Sequence, residues 1–250
     1  MQNSLIFDIG CHNGDDSDFY LRKGFRVVAV EANPDLCDLL RRRFETALAN
    51  GRLILIDRAI AEHEGEVDFF SYPTMNVWGT TNPNWASAFK QRGAHALKVK
   101  VPSTTFDSLI KRYGMPYFMK IDIEGSDQLC LDGLLSFSER PQFISTEIEG
   151  REQIADLTTC LARLGYGKFK IVDQAQVPRL ALPFPAREGI YVKHKFPDGA
   201  SGPFGNELNG LWASRVSTVC SYYTIAARNR IMRWVGDKNT HWYDIHAALA

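Results

Sequence analysis

The chain has 250 residues, of which 45% are hydrophobic and 23% are charged, and its formal net charge at pH 7 is zero. This composition excludes intrinsic disorder and gives no electrostatic basis for binding nucleic acid or an anionic membrane. The sequence begins without a basic and apolar leader, and no apolar run reaches the roughly 18 residues of a membrane span. The five cysteines have no metal-ligand or redox spacing, so we expect a reducing, cytoplasmic location.

Strand-like and helix-like segments alternate through the first two thirds of the chain. The predicted strands are residues 4–8, 26–31, 53–60, 66–70, 116–122, 142–148, 168–173 and 189–193. The predicted helices are residues 15–23, 34–50, 106–113 and 152–164. Alternation of this kind predicts an α/β fold with a mostly parallel, doubly wound sheet, whose ligands bind at the carboxyl ends of the strands.

Residues 71–97 interrupt this alternation with weak periodicity and several Pro, Gly and Asn residues. They are predicted to form a long loop or partial lid, and long loops in compact domains are often functional. The loop contains Tyr72, Trp78, Trp85 and Phe89. These rings either form an aromatic wall for an acceptor or anchor the loop to the core.

The alternation of strands and helices ends near residue 196, where a loop rich in Pro and Gly begins. A helix is predicted over residues 211–234, and a short segment ends the chain. We therefore expect one domain, residues 1–195, with a loop and helical extension, residues 196–250, that packs on it. The extension covers the site or makes a contact in a homodimer.

The first predicted strand ends in DIGCHNG, residues 8–14, a D-x-G-x-x-x-G pattern. Gly10 allows a sharp turn and a close approach to a ligand, and the helix that follows aims N–H groups that suit a carboxylate such as that of S-adenosylmethionine (SAM). Asp8 either binds the cationic amino group of the ligand or orders the turn. A plain strand-to-helix turn also commonly contains Gly.

The second predicted strand ends in Glu31, where a carboxylate can accept both hydroxyls of a ribose. Ala32 and Asn33 follow and could contact the adenosine, although Asn33 is also a good helix cap. An NAD site would need G-x-G-x-x-G, but positions 12 and 13 are His and Asn. SAM has no pyrophosphate and suits the turn better.

The third predicted strand runs into Asp57, Arg58 and Ala59. This end could flank an adenine, with Asp57 accepting a hydrogen bond from its amino group. An ordinary strand end explains the same residues nearly as well.

Two acidic residues, Asp122 and Glu124, lie at the carboxyl end of the predicted strand 116–122. Glu147 lies at the end of the next predicted strand, 142–148. Alternation along a strand would place Asp122 and Glu124 on one side. Like charges this close need a lysine, a metal ion or a cationic ligand to compensate them. One of the acids could serve as a general base or bind a divalent cation such as Mg²⁺, although no motif supports a metal, and some acids, such as Asp127, could instead cap helices.

Five stretches, FDIGCHNG, VVAVEANP, RAIAEHEGEVDFF, VPSTTFDSLI and MKIDIEGSD, resemble the FkbM family of SAM-dependent methyltransferases. The resemblance covers roughly residues 5–150 and implies a class I (Rossmann-like) methyltransferase fold with a seven-stranded sheet. It also implies O-methylation of a hydroxyl on a sugar or natural product. The candidate SAM-binding residues are Asp8, Gly10, Asn13, Gly14, Ser17, Glu31, Ala32, Asn33, Asp57, Arg58, Ala59 and Asp122.

The candidate catalytic residues are Asp122, Glu124, Glu147 and His12. His12 stands where the family often has Asn, and it either touches the substrate or is a loop histidine bonded to the backbone. The leading hypothesis is methyl transfer from SAM to a small molecule or glycan. The alternatives are an NAD-dependent oxidoreductase on the same fold and a catalytically silent SAM-binding protein.

Overall fold

The computed structural model describes residues 4–72, 78–91, 93–234 and 241–249. Its strands are β1 (Leu5–Ile9), β2 (Arg26–Val30), β3 (Leu53–Ile56), β4 (Ala59–Ile60), β5 (Gly65–Ser71), β6 (Leu97–Thr104), β7 (Phe118–Ile121), β8 (Phe143–Glu147), β9 (Tyr166–Asp173) and β10 (Tyr243–Leu249). Its α-helices are α1 (Asp15–Arg22), α2 (Pro34–Arg43), α3 (Glu45–Ala49), α4 (Pro83–Gln91), α5 (Phe106–Tyr113), α6 (Asp127–Leu134), α7 (Gln153–Arg163) and α8 (Arg215–Trp234). Within the described ranges, short 3-10 turns span Gln174–Arg179 and Gly205–Glu207.

The main sheet has seven strands in the order β3-β2-β1-β7-β8-β10-β9. Parallel pairing joins β3 to β2, β2 to β1 and β1 to β7, whereas β10 runs antiparallel to β8 and β9. The mostly parallel, seven-stranded α/β sheet is therefore confirmed. The strand order reverses between β1 and β7, and ligands of such sheets bind in the crevice outside the strand ends at that point.

The first strands form because their residues are apolar on both faces. All five residues of β1 are buried, and β2 is buried except for Arg26. The helices that follow begin where the sequence predicts a cap. Asn33 accepts a hydrogen bond from the main-chain N–H of Asp35 at the start of α2, and Thr105 accepts one from Ser108 at the start of α5.

A second sheet of three strands, in the order β4-β6-β5, lies within the first half of the chain. The single strand predicted over residues 53–60 is wrong, because it divides into β3 in the main sheet and β4 in the small one. The strand β6 has no counterpart in the prediction. Its pairing with β5 brings Val101 beside Phe69 and Ala59 in an apolar core, with Ala32 packed against it.

The loop predicted over residues 71–97 contains regular structure in its described part. Thr80 pairs with Phe70 through two main-chain hydrogen bonds, and α4 occupies Pro83–Gln91. Tyr72 and Phe89 are buried, so these two rings anchor the segment to its core. Residues 73–77 and 92, also part of that loop prediction, lie outside the described residues.

The chain divides into two compact units, Met1–Arg140 and Pro141–Ala250. The strand predicted over residues 189–193 is wrong, and β10, near the end of the chain, supplies the last strand of the main sheet instead. A boundary at residue 195 stays a prediction. Over the described residues, none of the helices combines the length and apolar character that crossing a membrane requires.

Candidate functional site

The turn after β1 lies against the end of β7. The main-chain N–H groups of Gly10 and Cys11 both donate to the carbonyl of Val30, at 2.9 and 3.0 Å, which folds the turn over the end of β2. Gly10 has a φ of +80°, and a Cβ there would lie 1.8 Å from the carbonyl oxygen of Asp122. The turn thus requires glycine because two main-chain segments meet without room for a side chain.

Asp8 lies beneath this turn and is fully buried. Its Oδ2 accepts a hydrogen bond from the hydroxyl of Ser17, also fully buried, at 2.6 Å. Burial raises the pKa of Asp8, and the charge of Lys120 and the bond from Ser17 only partly offset this effect. Of the two roles expected for Asp8, the structure supports ordering of the turn, since its carboxylate and the Ser17 hydroxyl bind each other inside the protein.

A buried lysine, Lys120 on β7, connects the turn to the acidic residues. Only 4% of the surface of Lys120 is exposed. Its Nζ donates to the carbonyl of Gly10 at 3.3 Å and to Oδ2 of Asp122 at 3.2 Å. The same atom lies 3.7 Å from Oδ1 of Asp8 and 3.9 Å from Oδ2 of Asp16. Three carboxylates therefore surround one ammonium at the ends of β1 and β7.

Glu31 closes the loop at the end of β2. Its Oε2 accepts from the main-chain N–H of His12 at 2.9 Å, and its Oε1 accepts from that of Asn33 at 2.8 Å. Burial raises the pKa of Glu31 to about 7, although these N–H groups and that of Ala32 act in the opposite direction. A carboxylate has about four lone-pair positions, so Glu31 keeps acceptor capacity for a ribose hydroxyl.

His12 occupies the middle of the turn with a left-handed φ of 49°. Left-handed backbone is uncommon for residues other than glycine, and it often marks a functional loop. The N–H of His12 is the group that binds Glu31, which makes its backbone part of the turn's hydrogen bonding. A role of its imidazole in catalysis stays a prediction.

Asn13 and Gly14 form the start of α1. The side chain of Asn13 bonds Asp15 twice, accepting from its N–H at 3.0 Å and donating to its carboxylate at 2.8 Å. A Cβ on Gly14, whose φ is +83°, would lie 2.5 Å from the ring of Phe44. Asn13 therefore fixes the first turn of α1, and Gly14 allows this turn to approach Phe44 at the C-terminal end of α2.

The residues after β3 have different surroundings from those of the turn. The exposed Asp57 forms an ion pair with Arg41 of α2, and Arg58 donates to the carbonyl of Ser103 at 3.3 Å. Ala59 is buried in the apolar core of the small sheet. Their expected role beside an adenine stays a prediction.

Asp122 and Glu124 do not continue the alternation of β7, because this strand ends at Ile121. Asp122 keeps one ladder-like bond, from its N–H to the carbonyl of Ile9 at 2.9 Å, whereas Glu124 adopts a left-handed φ of 48°. Strand alternation is therefore not what places the two together, yet a carboxylate oxygen of Asp122 and one of Glu124 lie within 4.8 Å of each other, as the prediction expected. The carboxylate of Asp127 accepts from the N–H of Ile123 at 2.9 Å, which closes the turn that carries them.

Within the first unit, the structure brings together the β1 turn, Glu31, Ser17 and Asp122 through these hydrogen bonds. Glu147 ends β8 in the second unit, and its catalytic role stays a prediction. Lys120 is the residue that the candidate set lacks. Its position two residues before Asp122 in the predicted strand 116–122 is a signal that the sequence did contain, since alternation in that strand would place both on the same side.

A family model described as the Methyltransferase FkbM domain matches residues 8–167, well over half of the chain. No curated protein sequence matches the chain. The precorrin-6Y C5,15-methyltransferase of Geobacter metallireducens GS-15 is 11% identical, with a TM-score of 0.43 over 98% of this chain and 79% of that one. The C-terminal domain of the Rhodobacter capsulatus precorrin-6Y C5,15-methyltransferase is 12% identical, with a TM-score of 0.45 over 100% and 82%.

Likenesses as low as these two do not bear on the reaction or the substrate. The family match is stronger evidence, because it covers residues 8–167. This range contains the β1 turn, Glu31 and the β7 turn, and it agrees with the motifs quoted above. The chain therefore belongs to the FkbM family of methyltransferases.

Proposed function

We propose that this protein transfers a methyl group from SAM to a hydroxyl of a sugar or natural-product acceptor. The observation that carries the proposal is the group of carboxylates gathered around Lys120 at the switch point of the sheet, beside a turn that only glycine allows. Oxygens of Asp8, Asp16 and Asp122 lie 3.2 to 3.9 Å from the ammonium of Lys120. A cationic ligand is favoured beside such a group of carboxylates, whereas a pyrophosphate is disfavoured.

The acidic residues in the first turn of α1 also support SAM over NAD. It contains three acidic residues, Asp15, Asp16 and Asp18. Carboxylates near a helix N-terminus already use its partial positive charge. Asp15 pairs with Arg43 and Asp18 with Arg22, each at 2.7 Å. The N-terminus of this helix is therefore less available to a further anion, such as the carboxylate of SAM, which refines the expectation from the sequence, and it disfavours the phosphates of NAD.

The other candidate SAM-binding residues form two groups, those with capacity to contact the donor and those that are fully buried beneath the turn. Glu31, with its remaining acceptor capacity, suits the ribose hydroxyls, and Ala32 and Asn33 lie next to it along the chain. Asp8 and Ser17 are fully buried and shape the turn from beneath. We place the donor along the turn itself, with Glu31 at its ribose end.

SAM supplies an electrophilic methyl group on a cationic sulfur, and the protein must then orient an acceptor hydroxyl and accept its proton. Asp122 is our first candidate for the base, because its side chain is 39% exposed and Lys120 holds one of its oxygens at 3.2 Å. Glu124, Glu147 and His12 remain candidates. A requirement for Mg²⁺ is tested by running the assay with and without the ion.

The test is calorimetric titration with S-adenosylhomocysteine, with NAD as the comparison ligand. We expect binding on the order of micromolar for the wild type and its loss in Glu31→Ala. Glu64→Ala is the matched control, because Glu64 also accepts hydrogen bonds from Thr104 and Thr105 but lies elsewhere. The melting temperature of each variant establishes that it is folded.

Preferential binding of NAD would refute the proposal in favour of an oxidoreductase. Binding of S-adenosylhomocysteine without turnover of any hydroxylated acceptor would indicate a silent SAM-binding protein. Sedimentation of the same preparation tests for the homodimer. A cytoplasmic location stays a prediction.

A further inference from the structure

The segment that precedes α4 is hydrogen-bonded to the turn that follows β7. The hydroxyl of Thr80 donates to the carbonyl of Glu124 at 2.7 Å. The side-chain amide of Asn82 donates to the carbonyl of Gly125 at 2.8 Å. Charge-neutral bonds of this length to adjacent carbonyls fix the two segments relative to each other. The candidate catalytic turn therefore depends on residues about 40 positions earlier in the chain for its geometry.

The same segment is anchored on its other sides. Thr80 exchanges two main-chain hydrogen bonds with Phe70 of β5, at 2.8 and 3.2 Å. Asn82 is also the cap of α4, since its Oδ1 accepts from the N–H of Asn84 at 2.9 Å. Thr81 and Ser126 add a hydroxyl pair at 3.0 Å. Helix α4 is thus held at a set position beside the β7 turn.

This position places Trp85 directly over Gly125. A Cβ on Gly125 would lie 1.8 Å from Cδ1 and 2.0 Å from Nε1 of the indole. The indole ring centroid lies 5.2 Å from that of the buried Phe89, which in turn stacks on Trp78 at 4.8 Å. Trp85 itself is only half-buried. The protein therefore fixes a large flat ring against Gly125, the residue after Glu124, and leaves part of that ring exposed.

We propose that Trp85 is the platform for the acceptor, and that the acceptor is a pyranose glycoside whose apolar C–H face packs on the indole. This inference rests on the proposed function and names the substrate class of that site. A rigid aromatic ring supplies a large contact area at low entropic cost, and the polar groups beside it fix the orientation of the ligand. A pyranose offers both kinds of surface, since its hydroxyls lie around the rim of an apolar face.

The position of the ring also accounts for glycine at residue 125. With a φ of +83°, any other residue there would be strained, and its side chain would displace the indole. A ring that served only to anchor α4 would have its packing surface against the core, as Phe89 and Tyr72 have. Trp85 packs on Phe89 and also against the main chain of the turn that carries the candidate base, and part of its ring stays exposed.

The experiment measures release of S-adenosylhomocysteine from SAM, with the methyl α-glycosides of glucose, galactose, mannose, rhamnose and fucose as acceptors. Trp85→Ala and Trp85→Leu should raise the acceptor KM by about tenfold, and Trp85→Phe should restore most of the loss. The kcat and the affinity for S-adenosylhomocysteine should stay within about twofold of the wild type. Trp234→Ala, which changes an exposed tryptophan of α8, is the matched control.

Several outcomes would overturn the inference. An unchanged acceptor KM in Trp85→Ala would exclude a platform, and full rescue by Leu would show that the ring only fills space. Wild-type protein that binds S-adenosylhomocysteine but methylates none of the glycosides would refute the sugar class. Wild-type protein that does not bind S-adenosylhomocysteine would instead refute the proposed function itself.

Discussion

Replacing Gly10 by Ala tests the contact between the β1 turn and the end of β7. The added Cβ would lie 1.8 Å from the carbonyl oxygen of Asp122 and 2.7 Å from its carbonyl carbon. Both atoms belong to the main chain, so neither can rotate away as the end of a flexible side chain could. Gly51→Ala is the matched control, because Gly51 has a similar left-handed φ, +71° against +80°, and nothing within 4 Å of its Cβ position.

The two variants should differ by the cost of the clash alone. A left-handed conformation costs a residue other than glycine about 1–2 kcal/mol, and both variants incur this. Overpacking of a tight site adds about 1–3 kcal/mol to Gly10→Ala only. We therefore expect losses in the free energy of unfolding of about 1–2 kcal/mol for Gly51→Ala and about 2–5 kcal/mol for Gly10→Ala.

Urea unfolding followed by circular dichroism measures both losses on the same scale. A second readout is calorimetric binding of S-adenosylhomocysteine, which Gly10→Ala should abolish and Gly51→Ala should leave unchanged. Equal losses of stability in the two variants would refute the close approach of the two main-chain segments. Intact binding in Gly10→Ala would refute the placement of the donor along this turn.

Three further predictions concern the charged groups of the site. Lys120→Met should lower the free energy of unfolding by about 3–5 kcal/mol, because it leaves buried carboxylates without their cation. Lys100→Met, which changes an exposed lysine paired with Asp68, should cost far less, and equal costs of the two variants in urea unfolding would contradict this. Burial raises the pKa of Glu31 from 4.5 to about 7, so the stabilising contribution of its protonated form is complete below pH 4.5 and is lost as the pH rises towards 7. The stability of the wild type relative to Glu31→Gln should accordingly fall by about 3 kcal/mol across that range, and a flat difference would argue against the shift. Asp122→Asn should lower kcat by about 100-fold with little effect on binding of S-adenosylhomocysteine, and a loss below about tenfold would remove Asp122 as the base.

Lys120 illustrates what a list of candidates from the sequence lacked. The acidic residues were evident as a pattern at strand ends, and a compensating lysine was among the alternatives. Which cation fills that role depends on the distances from β7 to β1 and α1, which lie about 100 residues earlier in the chain. The structure supplies those distances, with Nζ of Lys120 lying 3.2 to 3.9 Å from oxygens of Asp122, Asp8 and Asp16.

The errors in the predicted strands have a common cause. Residues 189–193 combine β-branched and aromatic side chains, but Ile190 and Tyr191 are 60% and 46% exposed, so this segment lacks the burial that such a pattern needs. Strand β10 contains Asp244 and His246 among its seven residues, yet it pairs with both β8 and β9 and is buried. Strand formation depends on partners distant in the sequence, which local periodicity does not contain.

The sequence by itself determined the features that depend on neighbouring residues. These are the alternation that builds the sheet, the caps of α2 and α5, the glycine of the β1 turn and the acidic end of β2. Only the tertiary structure decided that β4, β5 and β6 form a second sheet, that Glu124 leaves the line of β7, and that Trp85 lies over Gly125. These features arise from contacts between segments far apart in the chain, whose packing selects one partner among several that the local pattern allows.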